Sequence, residues 1–250
     1  MTEGKTITTI SENFDAGDTK NVDFGNITFN KPGVYVFDVA ENNQKSDGGW
    51  TYDTNTYQIT VTVEDNTEGE LVAEVEGNDP EFINAYKPNE VSTDDPNGIG
   101  NIQVTKKVEG NATNAAFNFK LTLESGNEIS VLTNADDPTS TFPVDGITKV
   151  TDGEFADGDT KTVDFGALTF TAAGDYTFKV VETDTAPANW TYASGDANAK
   201  TITIHVTDPE NGGQLVASYD QDAVNNPTFT NSYKANGSLD VMPRELRILK

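Results

Sequence analysis

Hydrophobic and polar residues alternate with a period of two along most of this chain. Successive side chains of a β-strand point to opposite faces, so this alternation is typical of strands with one buried face. Threonine, valine and aromatic residues, which favour strands, dominate the alternating runs, and Gly-, Asn- and Asp-rich pairs separate them as turns. The clearest apolar rows are Ile102, Val104 and Val108; Phe117, Phe119, Leu121 and Leu123; and Ile202, Ile204 and Val206. We therefore predict an all-β protein of antiparallel, Ig-like β-sandwich domains, with a helical turn only at residues 244–250.

The same pattern occurs twice in the chain. Residues 17–25 read GDTKNVDFG and residues 158–166 read GDTKTVDFG, with one difference between them and a separation of 141 residues (158 − 17). A repeat of this length indicates a duplicated domain. The match continues through further segments, in which 33–41, 50–52, 71–73 and 82–87 correspond to 174–182, 190–192, 215–217 and 229–234.

The two copies are unequal in length. About fifty residues, from 99 to 147, precede the shared block in the second copy, whereas only residues 1–6 do so in the first. The first sandwich is therefore expected to lack its opening strands and to leave an open sheet edge. Residues 237–241 resemble 100–104, which suggests a segment of a longer tandem array. We predict an incomplete repeat at 1–88, a linker at 89–99, a complete repeat at 100–235, and a truncated third repeat or tail at 236–250.

Composition narrows the classes of function. The chain has 250 residues with 41 acidic and 16 basic side chains, a formal net charge of -25, so neither nucleic acid nor membrane is expected as a partner. Cysteine is absent, which excludes disulfides, thiolate metal sites and cysteine nucleophiles. The single histidine, His205, lies on the outward face of its predicted strand, which disfavours a histidine metal centre or a Ser-His-Asp triad. We expect no metal, no other cofactor and no enzymatic turnover.

Three polar residues occupy inward positions of otherwise apolar strands. Lys106 follows Ile102 and Val104 in phase, Glu182 follows Phe178 and Val180, and Asn231 lies between Phe229 and Tyr233. Burying any one of these groups alone costs roughly several kcal/mol. If the three lie together, they either satisfy one another or react. The alternative is that Lys106 extends to solvent from a strand end, while Glu182 forms an ordinary ion pair and Asn231 bonds to backbone.

The reactive interpretation has a specific chemistry. Burial lowers the pKa of a lysine, and transfer of its proton to the glutamate leaves a neutral amine, which is a nucleophile. The resulting acid can donate a hydrogen bond to the Asn231 carbonyl oxygen and then pass a proton to the leaving ammonia. The product is an isopeptide bond between Lys106 and Asn231. Because the reaction occurs once within one chain, it is self-modification.

These segments resemble the streptococcal pilin isopeptide-linkage family, the FctA-like domains of Gram-positive pilins and surface adhesins. The resemblance rests on VTKKVEG at 104–110, YTFKVVE at 176–182 and FTNSY at 229–233, and it covers 100–235 fully and 7–88 partly. It implies a pilin-type sandwich in which Lys106 and Asn231 form the cross-link and Glu182 is the catalytic acid. In the first repeat Glu41 and Asn84 match the acid and acceptor positions, but the lysine strand has no counterpart.

The expected function is structural. We predict a stalk segment of a bacterial pilin or adhesin, extracellular and wall-anchored in the full-length protein, with neighbouring repeats of the same protein as its partners. The alternative is an adhesin module that binds a host protein or glycan. Smooth polar loops favour the stalk, and an exposed aromatic cluster at one end of a sandwich favours the binding module.

Overall fold

A computed structural model describes residues 6–10, 14, 17–42, 48–77, 79–96, 98–194, 197–209, 213–220 and 226–237. The chain divides into two units, the first comprising Met1–Gln44 and Tyr52–Ile83 and the second comprising Lys45–Thr51 and Asn84–Lys250. The helical turn expected at 244–250 and residues 238–241 of the third-repeat match lie outside the described residues. The domain boundaries taken from the sequence therefore stay a prediction.

The regular secondary structure of the described residues is almost entirely β-strand, with a 3₁₀ turn at Glu128–Ser130. None of the described segments forms a helix of the length and apolar character needed to cross a lipid bilayer. The strands are β1 (Gly33–Ala40), β2 (Trp50–Thr51), β3 (Thr56–Asp65), β4 (Leu71–Glu76), β5 (Ala85–Tyr86), β6 (Val91–Ser92), β7 (Gln103–Gly110), β8 (Thr113–Ser125), β9 (Val131–Leu132), β10 (Ile147–Phe155), β11 (Thr160–Asp164), β12 (Thr169–Phe170), β13 (Gly174–Glu182), β14 (Trp190–Thr191), β15 (Ala199–Thr207), β16 (Val216–Tyr219) and β17 (Thr228–Tyr233).

The first unit contains one antiparallel sheet in the order β1-β3-β4. Its inner face is marked by Val61 and Val63 of β3, which are buried, and by Tyr35 of β1, whose ring lies 4.7 Å from that of Phe29. Among the described strands, β1 pairs only with β3, whereas the equivalent strand of the second repeat, β13, lies between β8 and β15. This sheet thus has three strands where its counterpart in the second unit has five.

The second unit is a β-sandwich. A five-stranded sheet in the order β10-β8-β13-β15-β16 faces a four-stranded sheet in the order β11-β7-β17-β14. Their inner faces meet in one apolar core, where the ring of Phe119 on β8 lies 5.2 Å from that of Phe229 on β17. The prediction of an all-β fold built from tandem sandwich repeats is confirmed. The apolar rows read from the sequence supply this core, because every second residue of each strand faces the opposite sheet.

One strand pairing departs from the antiparallel pattern. The first and last long strands of the second unit, β7 and β17, pair in parallel, with Lys106 opposite Phe229 and Gly110 opposite Tyr233. Gly110 has a φ of +96°, and a Cβ there would lie 2.2 Å from the Tyr233 carbonyl oxygen. A glycine is therefore required where this pair of strands ends. This parallel pairing places the first and last long strands of the sandwich next to each other.

Part of the segment predicted as a linker belongs to a strand. Val91 and Ser92 form β6, which pairs with β12, and β12 pairs in turn with β9. Val91 is buried, and Thr93 accepts a hydrogen bond from the Leu168 backbone N–H at 3.0 Å. This short strand therefore covers one end of the core of the second unit.

Candidate functional site

The Lys106 side chain is fully enclosed in the core. It lies in β7, between β11 and β17, and its in-phase neighbours Ile102, Val104 and Val108 are all buried. Lys106 itself has a relative exposure of 0%. Because the strand interior fixes the phase of the side chain, the amine points across the sandwich, and the alternative in which it extends to solvent does not hold.

Glu182 and Asn231 are buried beside it. Glu182, the last residue of β13, has a relative exposure of 1%, and Asn231 in β17 has 0%. Asn231 pairs with Val108 in the parallel β7–β17 ladder, and Glu182 pairs with Phe119 in the β13–β8 ladder of the other sheet. Lys106 and Asn231 therefore come from the four-stranded sheet, and Glu182 comes from the five-stranded sheet. The structure brings together the three residues that strand phase selected.

The three side chains form one hydrogen-bonded group. The amine of Lys106 donates to both carboxylate oxygens of Glu182, with Nζ at 2.9 Å from Oε1 and 3.1 Å from Oε2. The carboxamide nitrogen of Asn231 donates to the same Oε1 at 2.7 Å. One carboxylate oxygen therefore accepts hydrogen bonds from both the Lys106 amine and the Asn231 carboxamide.

The orientation of the carboxamide differs from the sequence-based mechanism. That mechanism has the acid at the Asn231 carbonyl oxygen, whereas the structure places the nitrogen Nδ2 against Glu182. The carbonyl oxygen Oδ1 instead accepts a hydrogen bond from the backbone N–H of Ala193 at 3.4 Å. The physical reason is that an ionised carboxylate only accepts hydrogen bonds, so it takes the donor end of the amide.

Aromatic rings enclose the amine on its remaining side. Lys106 Nζ lies 4.2 Å from the ring centroid of Phe117 and 5.5 Å from that of Tyr192. Trp190 contacts both rings, with centroid separations of 5.5 Å and 5.7 Å. Sequence reasoning did not assign Phe117 and Tyr192 to the site, although the recurrence of Trp-Thr-Tyr at 50–52 and 190–192 was a signal. These rings and the Glu182 carboxylate surround the amine, which is fully buried.

Burial changes the protonation of this site. Loss of hydration lowers the pKa of Lys106, and the hydrogen bond and charge of Glu182 oppose this effect without cancelling it. The charge of Asp184 opposes it more weakly. Burial, with the nearby charges of Glu182 and Asp184, raises the pKa of Tyr192 to about 12. Near neutral pH the tyrosine therefore stays uncharged, while the neutral form of the lysine becomes more accessible.

Hydrogen bonds fix the end of β13, where Glu182 lies. Asn198 Nδ2 donates to the Glu182 backbone carbonyl at 3.0 Å, and the Thr183 N–H donates to the Asn118 carbonyl at 2.9 Å. Asp184 accepts hydrogen bonds from the backbone and side-chain nitrogens of Asn118. These contacts hold the carboxylate in place against the amine.

The matching residues of the first repeat have different surroundings. Glu41 follows β1 directly and is half-buried, whereas Asn84 precedes β5 and is exposed. Glu41 lies in the first unit and Asn84 in the second. Because Asn231 is fully buried and Asn84 is not, the two acceptor positions are not equivalent in the structure.

The second unit is thus a β-sandwich with a buried, hydrogen-bonded Lys–Glu–Asn group between its two sheets. The family model for the Spy0128-like isopeptide containing domain, FctA, matches residues 1–87 and 102–234, and the chain belongs to this family. A curated relative, a pilin of Streptococcus pyogenes serotype M1, is 33% identical over 112 residues. That match covers 43% of this chain and 31% of the relative, so it spans about a third of the relative's length.

Solved structures with similarity to this chain are also pilins. A crystal structure of the major pilin from Streptococcus pyogenes is 22% identical, with 85% of this chain and 74% of that chain covered and a TM-score of 0.24. The major pilin T3.2 from Streptococcus pyogenes serotype GAS13637 is 18% identical, with coverages of 82% and 69% and a TM-score of 0.24.

Proposed function

We propose that Lys106 and Asn231 form an intramolecular isopeptide bond, assisted by Glu182, and that the chain is a structural segment of a bacterial surface pilus. One observation carries the proposal. Lys106 Nζ and Asn231 Nδ2 both donate to Glu182 Oε1, at 2.9 Å and 2.7 Å, in a site without exposure to water. A carboxylate in contact with both nitrogens can carry a proton from the one to the other, which an amide exchange requires.

The reaction balances with these three residues alone. Lys106 first gives a proton to Glu182, which leaves a neutral amine and a protonated acid. The amine then attacks Cγ of Asn231, so the Nζ–Cγ bond forms and negative charge develops on Oδ1. Glu182 passes its proton to Nδ2 and takes a second proton from Nζ as the Cγ–Nδ2 bond breaks. Ammonia carries the second proton away as ammonium, and Glu182 is again a carboxylate.

The position of the bond suits a load-bearing role. It would join β7 to β17, the first and last long strands of the second unit, which already lie side by side in parallel. A force applied at the two ends then passes through the covalent link, and the fold between them does not have to resist it. An amide also resists reduction, which gives a permanent cross-link to a chain without cysteine.

The wider setting follows from family membership. The curated relative is named a pilin, so we infer an extracellular role at the surface of a Gram-positive bacterium, with other pilin subunits as partners. We also propose that the full-length protein is anchored to the cell wall and that it does not act as an enzyme with repeated turnover. The alternative from the sequence, a module that binds a host protein or glycan, stays a prediction.

Mass spectrometry of the intact chain under denaturing conditions tests the cross-link. The wild type is expected to be lighter than its sequence by one ammonia, about 17 Da, because amide exchange expels Nδ2. Glu182→Gln removes the proton carrier and is expected to have its full mass. Glu109→Gln, on the exposed Glu109 beside Lys107, is the matched control and should show the deficit. A wild type of full mass contradicts the proposal.

A further inference from the structure

The Ala193 backbone N–H is directed at the reacting carboxamide. Ala193 follows β14, whose pairing with β17 covers Trp190 opposite Tyr233 and Thr191 opposite Ser232. Beyond Thr191 the strand pairing ends, and the Ala193 N–H donates to Asn231 Oδ1 at 3.4 Å. The Ala193 N–H therefore bonds to the side chain of Asn231 and not to a backbone carbonyl of the neighbouring strand.

Before the proton transfer, while Glu182 is a carboxylate, the carboxamide oxygen of Asn231 receives no hydrogen bond from it. Glu182 Oε1 takes the hydrogen bond from Nδ2, and both carboxylate oxygens contact the Lys106 amine. Reversing the amide would set its oxygen against the carboxylate and its NH₂ against the Ala193 N–H, which are two repulsive contacts. The oxygen on which negative charge develops therefore faces the main chain of Ala193.

We infer that the backbone N–H of Ala193 stabilises the oxyanion that forms on Asn231 Oδ1 when Lys106 attacks Cγ; this inference rests on the proposed cross-link. Attack converts the planar carboxamide to a tetrahedral centre and moves charge onto Oδ1. A fixed main-chain donor beside the buried Asn231 side chain favours that charge at no cost of reorganisation. The 3.4 Å contact belongs to the state before reaction, and the bond shortens as the oxygen gains charge. Glu182 carries the protons, and the Ala193 N–H is a fixed main-chain donor to the oxyanion.

The test replaces one N–H with an oxygen atom. A chain assembled by ligation in denaturant, with lactic acid in place of Ala193, keeps the methyl group and loses only this donor. The matched control places lactic acid at Ala188, in the exposed turn before β14. Because the chains stay unfolded until dilution, refolding starts the reaction, and the loss of ammonia is followed by mass spectrometry of samples quenched in denaturant.

We expect the lactic acid replacement at Ala193 to slow the loss of ammonia by about a hundredfold to a thousandfold, the range for removal of one oxyanion donor. The control at Ala188 is expected to react within about twofold of the wild-type rate, because its N–H is remote from the reacting atoms. A wild-type rate for the Ala193 replacement overturns the inference while leaving the cross-link in place. A wild-type chain that never loses ammonia overturns the cross-link, and the inference with it.

A second measurement does not depend on the folding of the ester chain. In the unreacted Lys106→Met protein, which keeps Glu182, NMR hydrogen exchange of the Ala193 amide is compared with that in Lys106→Met/Asn231→Ala. We expect faster exchange when the Asn231 carbonyl is absent and no change at the Ala188 amide. Equal exchange of the Ala193 amide in the two proteins shows that it does not donate to Asn231, which overturns the inference.

Discussion

The stability that the proposed cross-link would confer can be isolated by exchanging the buried Lys106–Glu182 pair for neutral residues of similar size. Lys106→Met with Glu182→Gln removes the nucleophile and the proton carrier but retains most of the core volume. The matched control is Lys107→Met with Glu109→Gln, which removes the adjacent ion pair on the outer face. In that pair Nζ and Oε1 are 2.7 Å apart, and the side chains are 36% and 46% exposed. The two double variants differ in burial and in the covalent bond.

The size of the effect follows from the loop that the bond closes. Asn231 lies 125 residues after Lys106 (231 − 106). If the bond acts like a disulfide on the unfolded chain, it contributes about 5 kcal/mol to the free energy of unfolding. Exchange of a buried ion pair for neutral groups is itself neutral or stabilising, so about 5 kcal/mol is the upper limit of the net loss. The exposed control pair should contribute less than about 1 kcal/mol.

Guanidinium unfolding followed by Trp190 fluorescence measures this loss. Trp190 packs against Phe117, Tyr192 and Tyr233, and Trp50→Phe in every background leaves it as the one tryptophan. With a denaturant slope of about 2–6 kcal/mol/M, a loss of 5 kcal/mol lowers the midpoint by about 1–2.5 M. If the buried double variant unfolds at the same midpoint as the control, and the wild type carries the bond, the account of its stabilising role is refuted.

Three further results are expected. The Gly110→Ala protein should have a lower free energy of unfolding and should cross-link more slowly than the Gly158→Ala protein. Both glycines have positive φ, but only at Gly110 would a Cβ contact backbone atoms. Equal unfolding and cross-linking in the two variants would contradict the role of the β7–β17 register. The pKa of Lys106 is lowered from 10.5 in the uncross-linked chain, so between that lowered pKa and pH 10.5 the folded state binds fewer protons than the unfolded state; Asn231→Ala keeps the chain uncross-linked. The free energy of unfolding should therefore rise as the pH increases toward 10.5, and this rise, measured by denaturant titration, should vanish on adding Lys106→Met. Asp184→Asn should still lose one ammonia but react at lower pH, because the charge of Asp184 raises the pKa of Lys106; loss of the reaction would mean that Asp184 is also a proton carrier.

Local sequence predicted which residues enter the site. Lys106, Glu182 and Asn231 each follow apolar neighbours at every second position, and the pleat of a strand carries that phase through its interior. Lys106 does not lie at a strand end, from which it could extend to solvent, because its strand continues to Gly110. The all-β fold and its duplication were readable for the same reason.

The alternation of apolar and polar residues does not predict which distant strands pair or which side chains meet between the two sheets. The parallel pairing of β7 with β17 joins segments more than a hundred residues apart, and no local pattern specifies direction or register between them. Strand β6 has a single buried apolar residue, Val91, which is too short a run to show a period. The contacts of Phe117 and Ala193 with the site depend on how the two sheets face each other, which is a property of the assembled sandwich.

The central claim is a bond between two particular residues, and peptide mapping tests it most directly. Trypsin does not cut between Lys87 and Pro88, nor after an acylated Lys106, so the bond predicts one product joining residues 46–107 to residues 201–234. Its mass should be that of the two peptides less one ammonia, about 17 Da, because Nδ2 leaves on amide exchange. Separate peptides 46–106 and 201–234 at full mass, from wild-type protein refolded to completion, would contradict the account.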